Sequence, residues 1–368
     1  MSRRLFVLVG RHIDVEAVRQ AHALGEARDD SPYGLSGLEA LGWQVSWSAP
    51  SAGISFVARV LRRILGFDLV HAWRQRAAVR DADVLYAHED HDSLALCLAA
   101  RLGRNTRALC PNVIWVATRW PAWGPLRRLL VRHLLAVAPR VVVNSTSNVA
   151  ALRGLGLPPA AYVRFGVEPV SAPSAPPASD EPAPDLLIVG NDPYRDWHLL
   201  QQLTDRLTDL RVLLVTGRPP QFVPGPHCAV RAVRDPQELA WLYAHSGACL
   251  VPLTQNFHAS GVTVVLESLM AGARVVVTDT GGLRDYATSE QVSFVPVGDE
   301  PAFEAETRRL LAGDRQPGPV EVDQEFTRAA FLRRLSQVFD EALALRAPNS
   351  RPARQGGSGL TRLRRQPL

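Results

Sequence analysis

The chain of 368 residues contains no lysine, so arginine supplies all 41 of its basic side chains. Chemistry that depends on a lysine amine, such as Schiff-base formation or a P-loop lysine, is therefore excluded. Any cationic side chain that binds phosphate here must be a guanidinium, which binds in a forked geometry and does not lose its charge.

Cysteine is also scarce, with four residues scattered along the chain at Cys97, Cys110, Cys228 and Cys249. Their spacing contains no C-x-x-C pair and matches no metal-binding pattern. Because their flanks are apolar, we expect buried free thiols in a protein of a reducing compartment.

Long hydrophobic runs are absent as well. No apolar run is long enough to span a bilayer, and the N-terminal MSRRLFVLVGRH has too short an apolar core for a signal peptide. We expect a cytoplasmic protein. The 46% hydrophobic and 21% charged fractions are typical of soluble globular proteins, and the length favours two compact halves.

The first half alternates short apolar runs with helical stretches, which favours a parallel sheet covered on both faces. The predicted strands are Leu5–Val9, Trp43–Trp47, Val84–Ala87, Val113–Val116 and Val141–Val143. The predicted helices include Val15–Leu24, Gly34–Leu41 and Ser93–Leu102.

A proline-rich stretch at 169–184 interrupts this alternation and is predicted to be an extended linker. The alternation then restarts, with predicted strands at LLIV after Asp185 and at Val212–Thr216, Ala248–Val251, Val275–Thr278 and Ser293–Val297. The predicted division is an N-terminal α/β half at 1–168, the linker at 169–184, a C-terminal α/β half at 185–345 and a basic disordered tail at 346–368. In such folds ligands bind at the C-terminal ends of the strands.

Two stretches, Phe56–Leu65 and 123–138, are predicted to be basic amphipathic helices. For each helix alone, the more common explanation is that the apolar face packs in the domain core. Together with the basic tail, they also support the hypothesis of peripheral contact with the inner face of the cell membrane, which would suit a lipid-linked acceptor.

The most informative stretch runs from His258 to Tyr286, HASGVTVVLESLMAGARVVVTDTGGLRDY. A glycine-bearing loop, Ser260-Gly261-Val262-Thr263, leads into a helical run that carries one acid, Glu267. Backbone amides that open a helix bind anions, and an acid one to two turns later can reach a neighbouring sugar hydroxyl. This pattern indicates a site for a nucleotide-sugar.

Together with VGNDPYRDW and VRDPQELAWLYAHSGACLVPL, this stretch resembles the GT-B glycosyltransferases, and most closely the retaining family four, the glycogen-synthase-like group. The resemblance implies an α/β fold of two Rossmann-like parallel-sheet domains facing a cleft. It also implies transfer of a sugar from a nucleotide diphosphate sugar to a hydroxyl acceptor, with retention of configuration. The expected acceptor is a glycan, a lipid-linked sugar or a small molecule, and the expected role is in cell-envelope or exopolysaccharide synthesis.

By this resemblance Glu267 binds the ribose, and Ser260 with the amides around Gly261, Val262 and Thr263 forms the donor loop at the diphosphate. The chain departs from the family at Ala259, where a second glutamate is usual. Whatever that acid does for the donor sugar is either missing or supplied by His258 or Ser260. A different sugar or reduced activity is therefore an open alternative.

Arg195 occupies the position of a family lysine that neutralises the leaving diphosphate. Asn191 stands where a second basic residue is frequent, and its amide donates hydrogen bonds without charge. The alternative for Arg195 is a surface arginine paired with Asp192 or Asp196, which would contribute little.

His88, in the segment Tyr86-Ala87-His88-Glu89-Asp90-His91-Asp92, resembles a histidine of the family that reaches the donor sugar. Asp90 or Asp92 would orient it, although these acids are nearly as well explained as a helix cap. The spacing matches no zinc motif, so we predict no metal. Thr118 and Arg119 end a predicted strand where many relatives carry a histidine near the acceptor, and their role stays open.

Three rival functions remain. A nucleotide-sugar epimerase or a phosphorylase would use the same fold, and a catalytically degenerate domain would bind the nucleotide-sugar without turnover. Ala259 is the best support for the degenerate domain. We expect no cofactor, because arginine and backbone dipoles supply the neutralising charge, and no nucleic-acid partner, because no recognition motif is present.

Overall fold

The fold is described by a computed structural model that covers residues 3–51, 53, 55–103, 107–168, 182–313 and 324–346. The predicted linker 169–184 lies outside the described residues except for 182–184. The predicted tail 346–368 lies outside them except for the backbone of Arg346.

The N-terminal half is built on parallel strands, as predicted. Its strands are β1 Arg3–Leu8, β2 Trp43–Trp47, β3 Val84–Ala87, β4 Ala108–Pro111, β5 Val141–Val143 and β6 Ala160–Tyr162. Strands β1 to β4 form a sheet in the order β2-β1-β3-β4, and β5 pairs with β6. A parallel bridge between Asn112 and Val142 connects the two groups. The helices around them are α1 Val15–Ala23, α2 Phe56–Leu65, α3 Leu69–Arg74, α4 Arg76–Asp81, α5 Asp90–Leu102, α6 Val116–Arg119, α7 Pro125–Leu135 and α8 Thr146–Arg153.

The C-terminal half contains one six-stranded parallel sheet in the order β12-β11-β10-β7-β8-β9. Its strands are β7 Leu186–Val189, β8 Val212–Val215, β9 Cys228–Arg231, β10 Ala248–Val251, β11 Val275–Asp279 and β12 Ser293–Pro296. Its helices are α9 Trp197–Arg206, α10 Pro236–His245, α11 Val262–Met270 and α12 Glu300–Leu311. The central strands are buried on both faces, which explains why they read as continuous apolar runs.

Several helices begin where the sequence supplies an aspartate as N-cap. The Asp196 carboxylate accepts from the Leu199 amide at the start of α9, and Asp235 and Asp299 cap α10 and α12 in the same way. Such caps satisfy amides that have no partner within the helix, so they fix the position at which each helix starts.

The predicted strand Val113–Val116 is wrong. The strand of this region is β4, at Ala108–Pro111, and the short helix α6 begins at Val116. The Asp90 carboxylate accepts hydrogen bonds from the amides of Ile114, Trp115 and Val116, at 3.0, 2.8 and 3.2 Å. A buried side chain thus bends a segment whose apolar composition favours a strand.

The last described helix, α13 Arg328–Arg346, follows the C-terminal half in sequence but packs against the N-terminal half. Its Phe331, Leu335 and Phe339 are buried in the same apolar cluster as Tyr86 and Trp43. The Trp43 indole N–H donates to the Ser336 hydroxyl at 2.8 Å. The chain therefore crosses back to the first sheet within the range predicted as the C-terminal half.

The apolar face of helix α2 does not pack in the domain core, because Ala58 is the one fully buried residue among those described in this helix. The apolar face of α7 does pack there through Val131, Leu134 and Leu135. No helix in the described part of the chain combines the length and the apolarity needed to cross a membrane. All four cysteines are buried thiols rather than disulfides.

Candidate active site

The candidate site residues of the C-terminal half lie after the ends of three neighbouring strands. Arg195 lies in the loop after β7, His258 follows β10, and Thr280 follows β11. The carboxyl ends of parallel strands lie on one edge of a sheet, so these loops meet there. The Arg195 loop is joined to the β10 loop by an antiparallel bridge to Leu253.

The loop before α11 is a tight turn that ends at Gly261. The Ser260 amide donates to the His258 carbonyl at 2.9 Å, and the Val262 amide donates to the Ala259 carbonyl at 3.2 Å. Gly261 has a φ of +78°, and a Cβ at this position would lie 2.8 Å from Cγ1 of Val251. Only glycine meets both constraints without strain. The Val262 amide is therefore used within the turn.

Glu267 is 9% exposed, and its carboxylate forms an ion pair with the guanidinium of Arg28 from the N-terminal half. Burial raises the pKa of Glu267, whereas Arg28 and the Tyr243 hydroxyl lower it. Glu267 is therefore not an ordinary exposed helix carboxylate. Arg28 could not be predicted from the sequence, because it lies in a charged loop that carries no recognisable motif.

Arg195 is 2% exposed, so it is not the surface arginine of the alternative interpretation. Its Nη2 donates to the Val189 carbonyl. Within the described residues, Nε and Nη1 have no hydrogen-bond partner. Burial lowers the pKa of Arg195, and Asp192 opposes this. The guanidinium and Glu267 share two electrostatic neighbours, Tyr243 and Cys249, so the two charged groups lie in one region of the cleft.

Further buried polar atoms around the donor loop lack hydrogen-bond partners among the described residues. They are both ring nitrogens of His258, Oγ of Ser260 and Oγ1 of Thr280. The His258 ring packs edge-on against Tyr194 with a centroid distance of 4.9 Å. Buried polar groups are normally hydrogen-bonded, so a cluster that is not marks a place where a polar ligand or water completes the structure.

Asn191 is exposed at the end of β7, and its side-chain oxygen is already engaged. It accepts from the Gly217 amide at 2.6 Å and from the Thr216 hydroxyl at 2.9 Å. Asn191 therefore supports the loop after β8, which carries Arg218.

His88 is 6% exposed at the end of β3 and stacks on Tyr33 with a centroid distance of 3.7 Å. Its Nδ1 lies 2.9 Å from the Tyr86 hydroxyl and 3.5 Å from Nδ2 of Asn112. Because the Asn112 amide nitrogen can only donate, we assign Nδ1 as the acceptor and place the proton on Nε2. Burial lowers the pKa of His88 to about 3, so the ring is neutral at pH 7.

The groups that hold His88 are therefore Tyr86 and Asn112, and not the acids considered from the sequence. Asp90 instead binds the amides at the start of α6. Asp92 faces Glu89 and His91, and burial followed by the Glu89 charge raises its pKa to about 8. No group of three or more His, Cys, Asp or Glu side chains suited to a metal ion occurs among the residues described.

His88 lines a cavity of about 260 Å³ at the cleft. Its wall from the N-terminal half includes His12, Tyr33 and Asp92, and Arg218 lines it from the C-terminal half. A neutral imidazole and an arginine from opposite halves thus face one space.

Several hydrogen bonds join the halves across the cleft. The Phe257 amide donates to the Thr118 hydroxyl at 3.1 Å, and the Ser145 hydroxyl donates to the Phe257 carbonyl at 2.6 Å. The Thr146 amide and hydroxyl donate to the Asp285 carboxylate at 2.6 and 2.7 Å. Arg119 extends from α6 toward Tyr194 and His258. Burial raises the pKa of Tyr194 and lowers that of His258, and the Arg119 charge opposes the first shift and adds to the second.

No protein-family model and no curated protein sequence matches this chain. Several solved structures, in contrast, match this chain. Sucrose-phosphate synthase from Thermosynechococcus elongatus is 17% identical, with a TM-score of 0.68 over 93% of this chain and 100% of that one. HepE from Anabaena, crystallised with UDP and glucose, is 13% identical, with a TM-score of 0.62 over 92% of this chain and 100% of that one. A glycosyltransferase from Rickettsia africae is 12% identical, with a TM-score of 0.59 over 93% and 99%.

These similarities establish the fold. The chain has the two-sheet α/β architecture of GT-B glycosyltransferases along most of its length, as the sequence predicted. Membership of the retaining family four and the roles of the individual site residues stay predictions.

Proposed function

We propose that this protein transfers a sugar from a nucleoside diphosphate sugar to a hydroxyl acceptor in the cleft between its halves. The observation that carries the proposal is the cluster of buried polar groups without hydrogen-bond partners around the donor loop, within a fold shared with glycosyltransferases. HepE, which has this fold, was crystallised with UDP and with UDP-glucose, which favours a uridine nucleotide as the first donor to test.

In this proposal Glu267 accepts hydrogen bonds from the ribose hydroxyls. Nε and Nη1 of Arg195 and the amides of Gly261 and Thr263 bind the diphosphate, and the Ser260 hydroxyl completes the loop. As the bond from sugar to phosphate breaks, negative charge develops on the leaving diphosphate. A fixed guanidinium and helix-terminal amides stabilise that charge without reorganising.

The sugar would lie between the donor loop and His88. The neutral His88 ring offers an Nε2–H donor for a sugar hydroxyl, because its Nδ1 is occupied by Tyr86 and Asn112. Arginine and backbone dipoles supply the positive charge, so we propose metal-independent transfer with retention of configuration. The contacts across the cleft would keep water from the donor and so limit hydrolysis.

The test combines binding and turnover in buffer that contains EDTA. A panel of UDP-, GDP- and TDP-sugars is screened by thermal shift, where a ligand at 100 times its Kd adds about 2.7 kcal/mol to apparent stability. The best donor is then offered to hydroxyl acceptors, and sugar transfer or donor hydrolysis is measured. We expect Glu267→Gln to raise the Kd for the nucleotide and Arg195→Gln to reduce turnover by at least tenfold.

Matched controls are Glu304→Gln and Arg308→Gln, which break an exposed helix-surface pair of the same half. Equal activity in the site variants and in the controls would refute the site. Loss of activity in EDTA that added Mg²⁺ or Mn²⁺ restores would refute metal independence.

A second candidate, nucleotide-sugar binding without turnover, is favoured by Ala259. Alanine has no side-chain carboxylate to face the donor sugar. Its side chain is 7% exposed and belongs to the apolar core cluster. Nucleotide binding in calorimetry, together with no transfer and no hydrolysis for any donor that binds, would favour this function.

A further inference from the structure

Helix α2 exposes a continuous apolar face. The exposed fractions of Phe56, Val57, Val60 and Ile64 are 77, 64, 39 and 69%. At 3.6 residues per turn these four side chains lie on one side of the helix. Only Ala58 is fully buried, so α2 rests on the domain by a narrow strip.

Helix α7 adds two exposed apolar side chains near its start, Leu126 and Leu129, at 83 and 64%. The two helices touch at their ends, because Nη1 of Arg127 donates to the Leu65 carbonyl at 3.2 Å. We call these six exposed apolar side chains of α2 and α7 the apolar surface. Single exposed apolar residues are ordinary in soluble proteins, but six on two adjoining helices are not.

The charged residues of the two helices all have one sign. Helix α2 carries Arg59, Arg62 and Arg63, and all three are exposed. Helix α7 adds three more arginines, and neither helix contains an acidic residue. A solvent-facing helix usually mixes both signs, whereas apolar side chains bordered by arginine suit an interface with anionic headgroups.

An apolar cavity of about 500 Å³ opens between this region and the donor loop. Its walls include Trp120 and Leu155 from the N-terminal half and Phe257 and Thr280 from the C-terminal half. Helix α7 contacts residues of the cavity wall, because Nε of Arg128 donates to the Trp120 carbonyl at 3.1 Å. Nε of Arg132, one turn further along, donates to the Leu155 carbonyl at 3.0 Å.

We propose that α2 and the start of α7 form a docking surface for an anionic lipid bilayer. The apolar surface enters the interface, and the flanking arginines bind the headgroups. Docking in this way holds the mouth of the apolar cavity at the bilayer, where an acceptor with an apolar chain enters and presents its hydroxyl to the donor. This last step rests on the proposed function, but docking itself does not.

Co-sedimentation of the full chain with vesicles tests the docking surface. The vesicles contain either phosphatidylcholine alone or an equal mixture with phosphatidylglycerol. We expect binding to the mixed vesicles that weakens as salt rises. Phe56→Ser with Ile64→Ser, or Leu126→Ser with Leu129→Ser, should reduce the bound fraction at least tenfold. Arg59→Gln with Arg63→Gln should remove the preference for the anionic lipid.

The matched control is Leu24→Ser with Val223→Ser, which changes two residues of similar exposure, 74 and 88%, outside α2 and α7. Equal vesicle binding by the control and by the α2 variant would overturn the proposal, since the basic tail is intact in both and would then be the cause. A concentration-dependent dimer that Phe56→Ser with Ile64→Ser abolishes would assign the surface to self-association and also overturn it.

Nucleotide thermal shifts on the same variants keep the two proposals apart. The changed residues lie outside the donor loop, so UDP should shift the melting temperature of the α2 variant as it shifts that of the parent. Vesicle binding without any nucleotide shift would retain docking and reject glycosyl transfer. A nucleotide shift without vesicle binding would retain glycosyl transfer and reject docking.

Discussion

The guanidinium of Arg28 in the N-terminal half is paired with the carboxylate of Glu267 in the C-terminal half, through Nη1 and Oε1. The two side chains are 19 and 11% exposed, so water screens the pair only weakly. Burial alone favours the neutral acid, and Arg28 favours the carboxylate. The predicted ribose ligand therefore depends on the opposite half of the molecule for its charge.

Replacing Arg28 tests this dependence. We expect Arg28→Gln to raise the pKa of Glu267 further, because burial is then opposed less. At pH 6.5 the variant should bind the nucleotide about tenfold more weakly, equivalent to about 1.4 kcal/mol. Affinity should recover toward pH 9 as Glu267 ionises. Calorimetric titration with UDP across this pH range provides the measurement.

Arg19→Gln is the control, since it breaks an exposed pair with Glu16 on α1 and leaves Glu267 untouched. A uniform loss of affinity at every pH in Arg28→Gln would mean that Arg28 contacts the nucleotide itself. Unchanged affinity would remove Arg28 from the site.

The sequence predicted much of the fold because buried parallel strands leave a plain signal. Runs such as Val141–Val143 and Ala248–Val251 are apolar throughout and were found where they were expected. The error at Val113–Val116 comes from a contact that is distant in sequence. The Asp90 carboxylate accepts hydrogen bonds from amides of that segment, 24 to 26 residues later, and bends it. Strands β6 and β9 were missed because they are short and lie at sheet edges, with side chains that are partly exposed.

The candidate site was predictable where it follows a motif and hidden where it depends on contacts between distant segments. The donor loop and Glu267 could be named from one continuous stretch. Arg28 lies 239 positions before Glu267, and Asn112 lies 24 after His88. Those contacts arise from the packing of the two halves and from strand neighbours, which residue patterns in one sequence do not reveal.

Gly261 should be irreplaceable for two separable reasons. Alanine at a φ of +78° costs about 1–2 kcal/mol, and its Cβ would also press on Cγ1 of Val251 at 2.8 Å. We expect Gly261→Ala to lose more stability than the backbone cost alone and to weaken nucleotide binding. Urea unfolding gives the first quantity, and the UDP thermal shift gives the second.

Gly25→Ala isolates the backbone cost, because Gly25 has a φ of +76° with no atom within 4 Å of the added Cβ. Similar losses in the two variants would show that the turn before α11 relaxes around a methyl group, contrary to the packing seen here.

The buried His88 should make stability depend on pH. Its pKa is about 3 in the folded protein, against 6.5 as an ordinary value, so the unfolded chain binds more protons between these limits. This contribution to stability is full above pH 6.5 and is lost as pH falls toward 3. The slope of unfolding free energy against pH should be lower in His88→Gln by up to about 1.4 kcal/mol per unit.

Urea unfolding at pH 7, 6, 5 and 4 measures both slopes, and His198→Gln, at an exposed position of α9, is the control. Comparing slopes removes the pH-independent cost of losing the contacts with Tyr86 and Asn112. Equal slopes for the parent and His88→Gln would mean that the ring is already open to protons in the folded state.

Introducing an acid at Ala259, where the family that this sequence resembles usually has a glutamate, distinguishes a modified active site from a degenerate one. The position is 7% exposed in an apolar cluster, so an introduced carboxylate loses hydration. We expect Ala259→Glu to cost about 2 kcal/mol at pH 7, within the range for poorly compensated buried groups. The new acid's pKa should be raised by burial, so the loss should grow as pH rises above about 4.3.

The neighbouring His258 affects the size of the stability loss in Ala259→Glu. Burial lowers its pKa to about 4, and a carboxylate at residue 259 would raise it by favouring the charged ring. Ala259→Gln has the same shape without the charge and serves as the control. If the cleft is adapted to its own donor, turnover in Ala259→Glu stays at or below that of the parent. A tenfold gain over both the parent and Ala259→Gln would instead show that the missing acid limits catalysis and that the natural protein is tuned for binding.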